Sequence, residues 1–373
     1  MTVSESRPPR VLIAPLNWGL GHATRCIPIA QEFERQGWEV GFAADGAAAL
    51  ILKDAFPDHR HWNLPGLEIH YPRSGSFIFS IATQVPAFLR RIRREQHDLE
   101  EILNAWEPEL VISDNRYGLH SDRCRSIFMT HQINILLPGM RLMESVVRSW
   151  VRNQILDFDE LWLPDTDEED SLAGELSALH DGLKGMPVAR TGALSRFAGM
   201  TFSTGNGEEQ GHEFDNVFVV SGPEPVAEMF REQLRDQAAV LPGRSLLVKG
   251  QPDLGTRLQV GKYELMEVGH LKSRDFARVL SRAKRVVGRS GYSSLMDWVV
   301  LQPKAELLLV PTPGQTEQEY LAQRWKEAGW AQAQSQSRLS LKNWDGHSVD
   351  SSWPKWNSES LAKLVRKESD RVF

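Results

Sequence analysis

Short apolar runs alternating with amphipathic stretches, repeated through two successive halves, constrain this chain more than any other feature. Runs at 11–16, 39–43, 110–113, 126–130 and 160–163 are nearly all apolar. Strands buried on both faces of a parallel sheet read this way, whereas strands with one wet face alternate. Between the first two runs, Cys26, Ile29, Ala30 and Phe33 repeat at helical spacing, and Gly37 stands where a helix C-cap belongs. The pattern restarts at 216–220, 245–248, 265–268, 285–288 and 306–310, with helical stretches at 293–301 and 316–328. Two consecutive β/α units of similar size follow, hence an α/β fold. No self-similar period of 20–50 residues is present, which removes solenoids and propellers.

At about 100–200 residues per domain, a length of 373 suits two domains. The stretch after Arg196, FAGMTFSTGNGEEQGHE, is rich in Gly, Ser, Thr and acids, and is the natural linker. The expected organisation is an N-terminal domain over 1–195, a linker over 196–215, a second domain over 216–340 and a tail over 341–373. The tail carries Trp344, Trp353 and Trp356 and a helical pattern near 360–371, so it is expected to pack back on the body.

With 43 Lys+Arg against 49 Asp+Glu, the net charge of −6 leaves no global attraction for nucleic acid. Cys26 and Cys124, the only cysteines, suit a reducing compartment and read as core thiols. The polar start, MTVSESRPPR, precedes an apolar run too short for a signal peptide or a membrane span, so a cytoplasmic protein is expected.

The first run ends in APLNWGLGHATR, with Gly19 and Gly21 in a turn and His22, Thr24 and Arg25 in the first turn of a helix. Such a turn brings backbone N–H groups close to an anion. A dinucleotide fingerprint is incomplete, because Thr24 replaces its third glycine, although Asp45 does end the second run. His22 stands at the carboxyl edge of the first strand, where open α/β sheets bind ligands, and is a candidate general base. A helix-start histidine bonded only to backbone has the same sequence. Ser113-Asp114-Asn115-Arg116-Tyr117 and Thr130-His131-Gln132-Ile133-Asn134 end further strands at that edge. Asp114 there either orients His22 or caps the next helix.

In the second half, Ser221 and Gly222 form a turn after a strand. Arg289, Ser290 and Gly291 precede a helix in GRSGYSSLMD. Ser293, Ser294 and the helix N-terminus suit a diphosphate, and Asp297, four residues beyond Ser293 on one face, suits the two hydroxyls of a ribose. Gln318 and Glu319 open the next helix after a Pro/Gly loop.

Taken in order, GLGH, THQIN, SGPEP, GRSGYSSLMD and VPTPGQTEQEY resemble the glycosyltransferases of family 28, the MurG-type group of the GT-B fold, over roughly residues 10–329. The resemblance implies two Rossmann-like β/α/β domains facing across a cleft, a first that binds the acceptor and a second that binds a nucleotide-diphosphate sugar. His22 would match the base of the first loop, and His131 and Asn134 polar residues of a second loop beside Gly19 and Gly21. Ser221, Gly222, Ser290, Gly291 and Ser294 would lie near the diphosphate. Asp297 would hold the ribose, and Gln318 and Glu319 would reach the sugar. The departures concern sugar and acceptor: the first loop is GLGH, HQIN lacks an acid after the His, Asp297 is shorter than the usual Glu, and Glu319 replaces a Gln.

The expectation is therefore inverting transfer of a hexosyl or N-acetylhexosaminyl group from a UDP-linked donor, with no metal or other cofactor. A nucleotide-sugar 2-epimerase of the same fold and a non-catalytic nucleotide-sugar sensor are the rivals. Two basic-apolar stretches, 77–94 and 136–152, suit either core-facing helices or contact with an anionic membrane carrying a lipid-linked acceptor. His59 and His61 in DHRHW lack the companions a zinc site needs.

Overall fold

A computed structural model describes residues 7–18, 20–66, 77–137, 139–200, 214–222, 224–261, 264–342, 344 and 353–372, with the side chains of 77–85 and 141 outside that description. Gly19, most of the expected linker and part of the tail therefore lie outside the described residues.

The first sheet contains β1 (Arg10–Pro15), β2 (Glu39–Ala44), β3 (Arg60–Asn63), β4 (Leu110–Asp114), β5 (Arg125–Met129), β6 (Glu160–Leu163) and β7 (Val188–Arg190). Its order is β3-β2-β1-β4-β5-β6-β7, and its pairings are parallel. Crossovers carry α1 (Gly21–Arg35), α2 (Gly46–Ala55), α3 (Phe77–Trp106) and α4 (Arg141–Ile155). The second sheet holds β8 (Asn216–Val219), β9 (Ser245–Val248), β10 (Gln259–Val260), β11 (Met266–Val268), β12 (Arg285–Gly288), β13 (Glu306–Leu309) and β14 (Gln332–Ala333). Its order is β10-β11-β9-β8-β12-β13-β14, parallel apart from β10. The helices of this half are α5 (Val226–Ala238), α6 (Ser273–Arg282), α7 (Tyr292–Leu301) and α8 (Thr316–Glu327), and α9 (Glu359–Val372) closes the chain.

The apolar runs became the central strands because both faces are covered: Val11, Leu12, Ile13 and Ala14 of β1 have no exposed surface. Ala23, Cys26, Ile29, Ala30 and Phe33 line the buried stripe of α1, and full burial of a side chain such as Phe33 contributes roughly 1.5–3 kcal/mol. Four strands have no such run. The polar β3, the three-residue β7 and the two-residue β10 and β14 occupy or adjoin sheet edges, where pairing to one neighbour suffices.

In each sheet the first strand of the half sits beside a strand reached by a long crossover, β1 beside β4 and β8 beside β12. Strand order reverses there, so a crevice opens at the carboxyl ends. The two crevices face each other across a seam. Tyr292 of α7 is buried and donates its hydroxyl to the Pro164 carbonyl at 2.8 Å, and the Leu194 N–H points at Met296 Sδ, 3.3 Å away. The chain then returns to the first domain: Trp38 Nε1 donates to Ser369 Oγ of α9 at 2.9 Å, and Arg125 pairs with Glu368 at 2.6 Å. Trp344 is buried in the second core, and Trp353 lies 6.2 Å from Trp325.

Candidate functional site

The edge of β1 and β4 concentrates charge. β4 ends at Asp114, after which Asn115 takes a left-handed backbone (φ 59°) and reverses the chain; among residues with a Cβ, Asn adopts this conformation most readily. Asp114 is fully buried. Arg25, one turn into α1, donates Nε to Asp114 Oδ2 at 2.8 Å and contacts Oδ1 with its NH2. This pairing holds the Asp114 carboxyl well below the usual carboxylate range although burial pushes the other way. His22 Nδ1 lies 3.1 Å from Asp114 Oδ2 and 2.8 Å from Arg25 NH2. Burial lowers the His22 pKa, Asp114 raises it and Arg25 lowers it again, with a net decrease. The imidazole is therefore neutral at pH 7, the state a base requires.

His131, at the end of β5, joins this group. Its Nδ1 lies 3.1 Å from Arg25 NH1, and its Nε2 lies 2.9 Å from Glu317 Oε1, contributed by the first turn of α8 in the other domain. Its ring stacks on Tyr292 at 4.2 Å and 3°. Facing His131 holds the Glu317 pKa down against its own burial. The polar chain His22, Asp114, Arg25, His131, Glu317 thus crosses the seam.

The facing edge is built differently. Gly291 starts α7 with no side-chain cap, so the first N–H groups of the helix point into the crevice. Ser293 and Ser294 are half-buried beside them. A Cβ on Gly21 would stand 2.6 Å from Ser293 Oγ, so the amino ends of α1 and α7 meet almost in contact. Ser221 and Gly222, just beyond β8, complete the rim; Gly222 is exposed and has φ 109°, where a side chain would be strained.

Several expected donor residues are occupied otherwise. Arg289 is buried over the Phe230 ring at 3.8 Å and donates to the carbonyls of Val310 and Pro311 and to Gln336, so its guanidinium points into the domain and not toward α7's N-terminus. Burial with no carboxylate beside it lowers its pKa to about 9. Ser290 Oγ donates to the Gln318 carbonyl at 2.7 Å, while the Gln318 side chain accepts from Thr312 N–H and donates to Gln315. Glu319 is exposed and accepts from Gly314 N–H at 3.1 Å. In the first domain, Asn134 donates to the carbonyls of Glu175 and Ala178 and so fastens a loop.

Asp297 is buried on the seam face of α7. It accepts from Ser195 Oγ at 2.5 Å and lies 3.8 Å from Arg196 Nε. Burial raises its pKa to about 6, against the pull of Arg196 and Ser195.

Sequence reasoning missed Arg25, Tyr292 and Glu317 as site members. Arg25 was legible only as the neighbour of His22 one turn on, and nothing local connects Glu317 to a histidine 186 positions away. His59 pairs with Glu34 at 2.9 Å and His61 Nε2 donates to the Phe56 carbonyl at 2.9 Å. Among the described residues, no group of three or more His, Cys, Asp or Glu is placed to hold a metal ion.

No family model matches the chain. An uncharacterized glycosyltransferase of Methanosarcina acetivorans is 28% identical over 132 residues, 34% of this chain and 33% of that protein. The chain thus matches about a third of that relative's length. Among solved structures, the glycosyltransferase SnogD of Streptomyces nogalater has TM-score 0.59 at 13% identity, covering 97% of this chain and 95% of its own. MurG of Acinetobacter baumannii has TM-score 0.50 at 14% identity, covering 98% and 92%. The class is a two-domain α/β protein whose facing sheet edges enclose a polar crevice. More particularly, the fold is the GT-B fold of glycosyltransferases, with two Rossmann-like domains.

Proposed function

We propose that the chain is a glycosyltransferase that moves a hexosyl or N-acetylhexosaminyl group from a nucleotide-diphosphate sugar, UDP-linked, to an acceptor hydroxyl with inversion. The observation that carries this reading is the apposition of His22, paired with Asp114, and the uncapped amino end of α7 across one seam. The acceptor enters on the side of β1 and β4. His22 Nε2 takes its hydroxyl proton, the acceptor oxygen bonds to the anomeric carbon, and the carbon–oxygen bond to the diphosphate breaks. The departing charge falls on the N–H groups of α7 and the hydroxyls of Ser293 and Ser294, already in place before reaction. Asp297 exchanges Ser195 and Arg196 for the ribose hydroxyls, so donor binding is coupled to the junction after the first domain.

With the true acceptor, His22→Gln is expected to lower kcat by about 100- to 10,000-fold while leaving UDP binding intact. Near-normal transfer by this variant would remove His22 as the base. Conversion of UDP-N-acetylglucosamine to its 2-epimer without any acceptor would replace transfer by epimerisation.

The acceptor we propose is membrane-borne. Leu142 and Val146 of α4 are 87% and 70% exposed, Met143 beside them is exposed, and Arg148 follows on the same helix. On α3, Leu89, Arg90, Arg93 and Arg94 are exposed too. Helices that expose both apolar side chains and arginines suit an anionic bilayer surface, where each cation adds about 1 kcal/mol. Sedimentation with phosphatidylglycerol vesicles, lost in Leu142→Asp/Val146→Asp and absent with neutral phosphatidylcholine, checks this. Among the described residues no helix is long and apolar enough to cross a membrane.

A further inference from the structure

Arg196 differs from the other arginines of the interior. Arg25, Arg116, Arg231 and Arg289 spend their N–H groups on carboxylates, carbonyls or other side-chain acceptors. The Arg196 side chain is only 14% exposed, yet its Nε is buried with no acceptor, and among the described residues none of its N–H groups donates a hydrogen bond. Two rings hold it instead. Its guanidinium carbon lies 4.8 Å from the centroid of Phe276, in the first turn of α6, and 5.2 Å from that of Phe197. Such rings attract the cation and fix its plane without using any donor. Asp297 Oδ2 lies 3.8 Å from Nε, an ion pair too long for a hydrogen bond. Burial holds the Arg196 pKa below its ordinary value although Asp297 pulls it up. Unpaired donors on a charge this enclosed are costly, so the arrangement suits a ligand that brings its own acceptor atom.

The pair itself limits what that ligand is. Asp297 as a carboxylate only accepts, and Arg196 only donates. A hydroxyl group satisfies both through one oxygen, giving its proton to Asp297 and a lone pair to Arg196. A carbonyl or phosphate oxygen serves Arg196 alone, and an ammonium group serves Asp297 alone. Both partners are fixed where they meet. Leu194 N–H points at Met296 Sδ at 3.3 Å, Ser195 Oγ donates to Asp297 Oδ1 at 2.5 Å, and Phe197 N–H donates to Ser195 Oγ at 3.1 Å. The end of the first domain is thereby registered against the second turn of α7.

We propose that Arg196 is a specificity-determining residue of the donor site: together with Asp297 it grips the 2′-hydroxyl of the nucleotide and selects ribonucleotides over 2′-deoxyribonucleotides. Asp297 stands about 9 Å along α7 from Gly291, where the diphosphate is held. Arg196 reaches it from the side of α6. On a ribose ring the 2′-carbon is farther from the 5′-phosphate than the 3′-carbon is, so the 2′-hydroxyl is the one that falls to Arg196. Its oxygen replaces the 3.8 Å ion pair with two charge-assisted hydrogen bonds. A 2′-deoxy nucleotide leaves both partners as they are in the empty site. A first-domain residue thus completes a subsite that the second domain cannot complete alone. The proposal rests on the reading of Asp297 as the ribose carboxylate.

The test is calorimetric titration of the full chain with UDP, GDP and ADP, each beside its 2′-deoxy form. Wild type should bind its preferred diphosphate about 100-fold tighter than the 2′-deoxy form, each of the two charged hydrogen bonds being worth about tenfold. Arg196→Met, which fills the stacked volume without a donor, should cut that ratio about tenfold by weakening the ribonucleotide while leaving the deoxy form within about threefold. If Arg196→Met fails to fold, Arg196→Lys, which keeps the cation but loses the planar fork, should lower the ratio as well. An unchanged ratio in the folded variant, or equal affinity of wild type for the two forms, would overturn the role of Arg196. No binding of any nucleoside diphosphate would instead overturn the donor-site reading itself, and this inference with it.

Discussion

The two crevice edges are topological counterparts, each at the carboxyl ends of a reversing parallel sheet, yet they are furnished in opposite ways. At β1 and β4 the working groups are charged side chains, buried and bonded to one another: Arg25 and Asp114 have 1% and 0% of their surface exposed. At β12 and β13 the large polar side chains, Arg289 and Gln318, turn inward and brace the loops, and the crevice is left to backbone N–H groups, two small hydroxyls and the single carboxylate of Asp297. The difference follows from cost. A buried charge is tolerated only with a partner, so a general base brings a network with it. An anion can be held by dipoles already aligned by a helix, so a binding site for it needs no charged side chain.

The strongest way to break this contrast is to unpair the charged edge. Arg25→Ala leaves Asp114 buried without its cation and should destabilise the protein by about 3–5 kcal/mol, read as a fall in the urea midpoint at pH 7. The equivalent truncation at the other edge, Ser294→Ala, should cost well under 1 kcal/mol. Equal losses would mean the two edges do not differ as described.

Asp297 sharpens the comparison because it is the carboxylate of the donor edge. Its pKa of about 6 lies above the ordinary 3.8, so the fold prefers it protonated. That preference is fully expressed below about pH 4 and is lost as pH rises to about 6. At pH 7.5 Asp297→Asn should therefore stabilise the ligand-free protein by on the order of 2 kcal/mol, with no gain at pH 4, while weakening UDP binding. Urea titrations at the two pH values check the sign. A smaller effect is expected at the seam itself. Gly21→Ala presses a methyl group against Ser293 Oγ, which can rotate aside, and should cost about 1 kcal/mol with a modest loss of UDP affinity seen by calorimetry.

The same contrast explains what could be read beforehand. Central strands and the helices α1, α7 and α8 were legible to within a residue or so, because burial on both faces forces continuous apolar runs, as in β1, β9 and β12, whereas α3 runs twelve residues past the basic-apolar stretch that marked its start. The edge strands β3 and β14 were not, since Arg60–Asn63 and Gln332–Ala333 pair by backbone and carry no such pattern. The α7 motif was legible as a local run of sequence because a helix amino end is made by consecutive residues. Arg289 misled: Arg in a phosphate-like turn has one meaning in sequence, and only the Phe230 ring and the Val310 carbonyl reveal its bracing role. The charged edge was half legible. His22 and Asp114 each end or follow a strand, but the pairings of Arg25 with His131 and of His131 with Glu317 are long-range and have no local signature.

The central claim is that one seam joins a base edge to a nucleotide-diphosphate edge. Calorimetric titration of the full chain with UDP-N-acetylglucosamine and other nucleotide-diphosphate sugars tests it most directly, with His22→Gln and Asp297→Ala alongside. The account predicts one binding site, weakened about tenfold or more in Asp297→Ala, as expected for losing a charged hydrogen-bond acceptor, and unchanged within about twofold in His22→Gln. No binding of any nucleotide-diphosphate sugar, or equal affinity in wild type and Asp297→Ala, would contradict it.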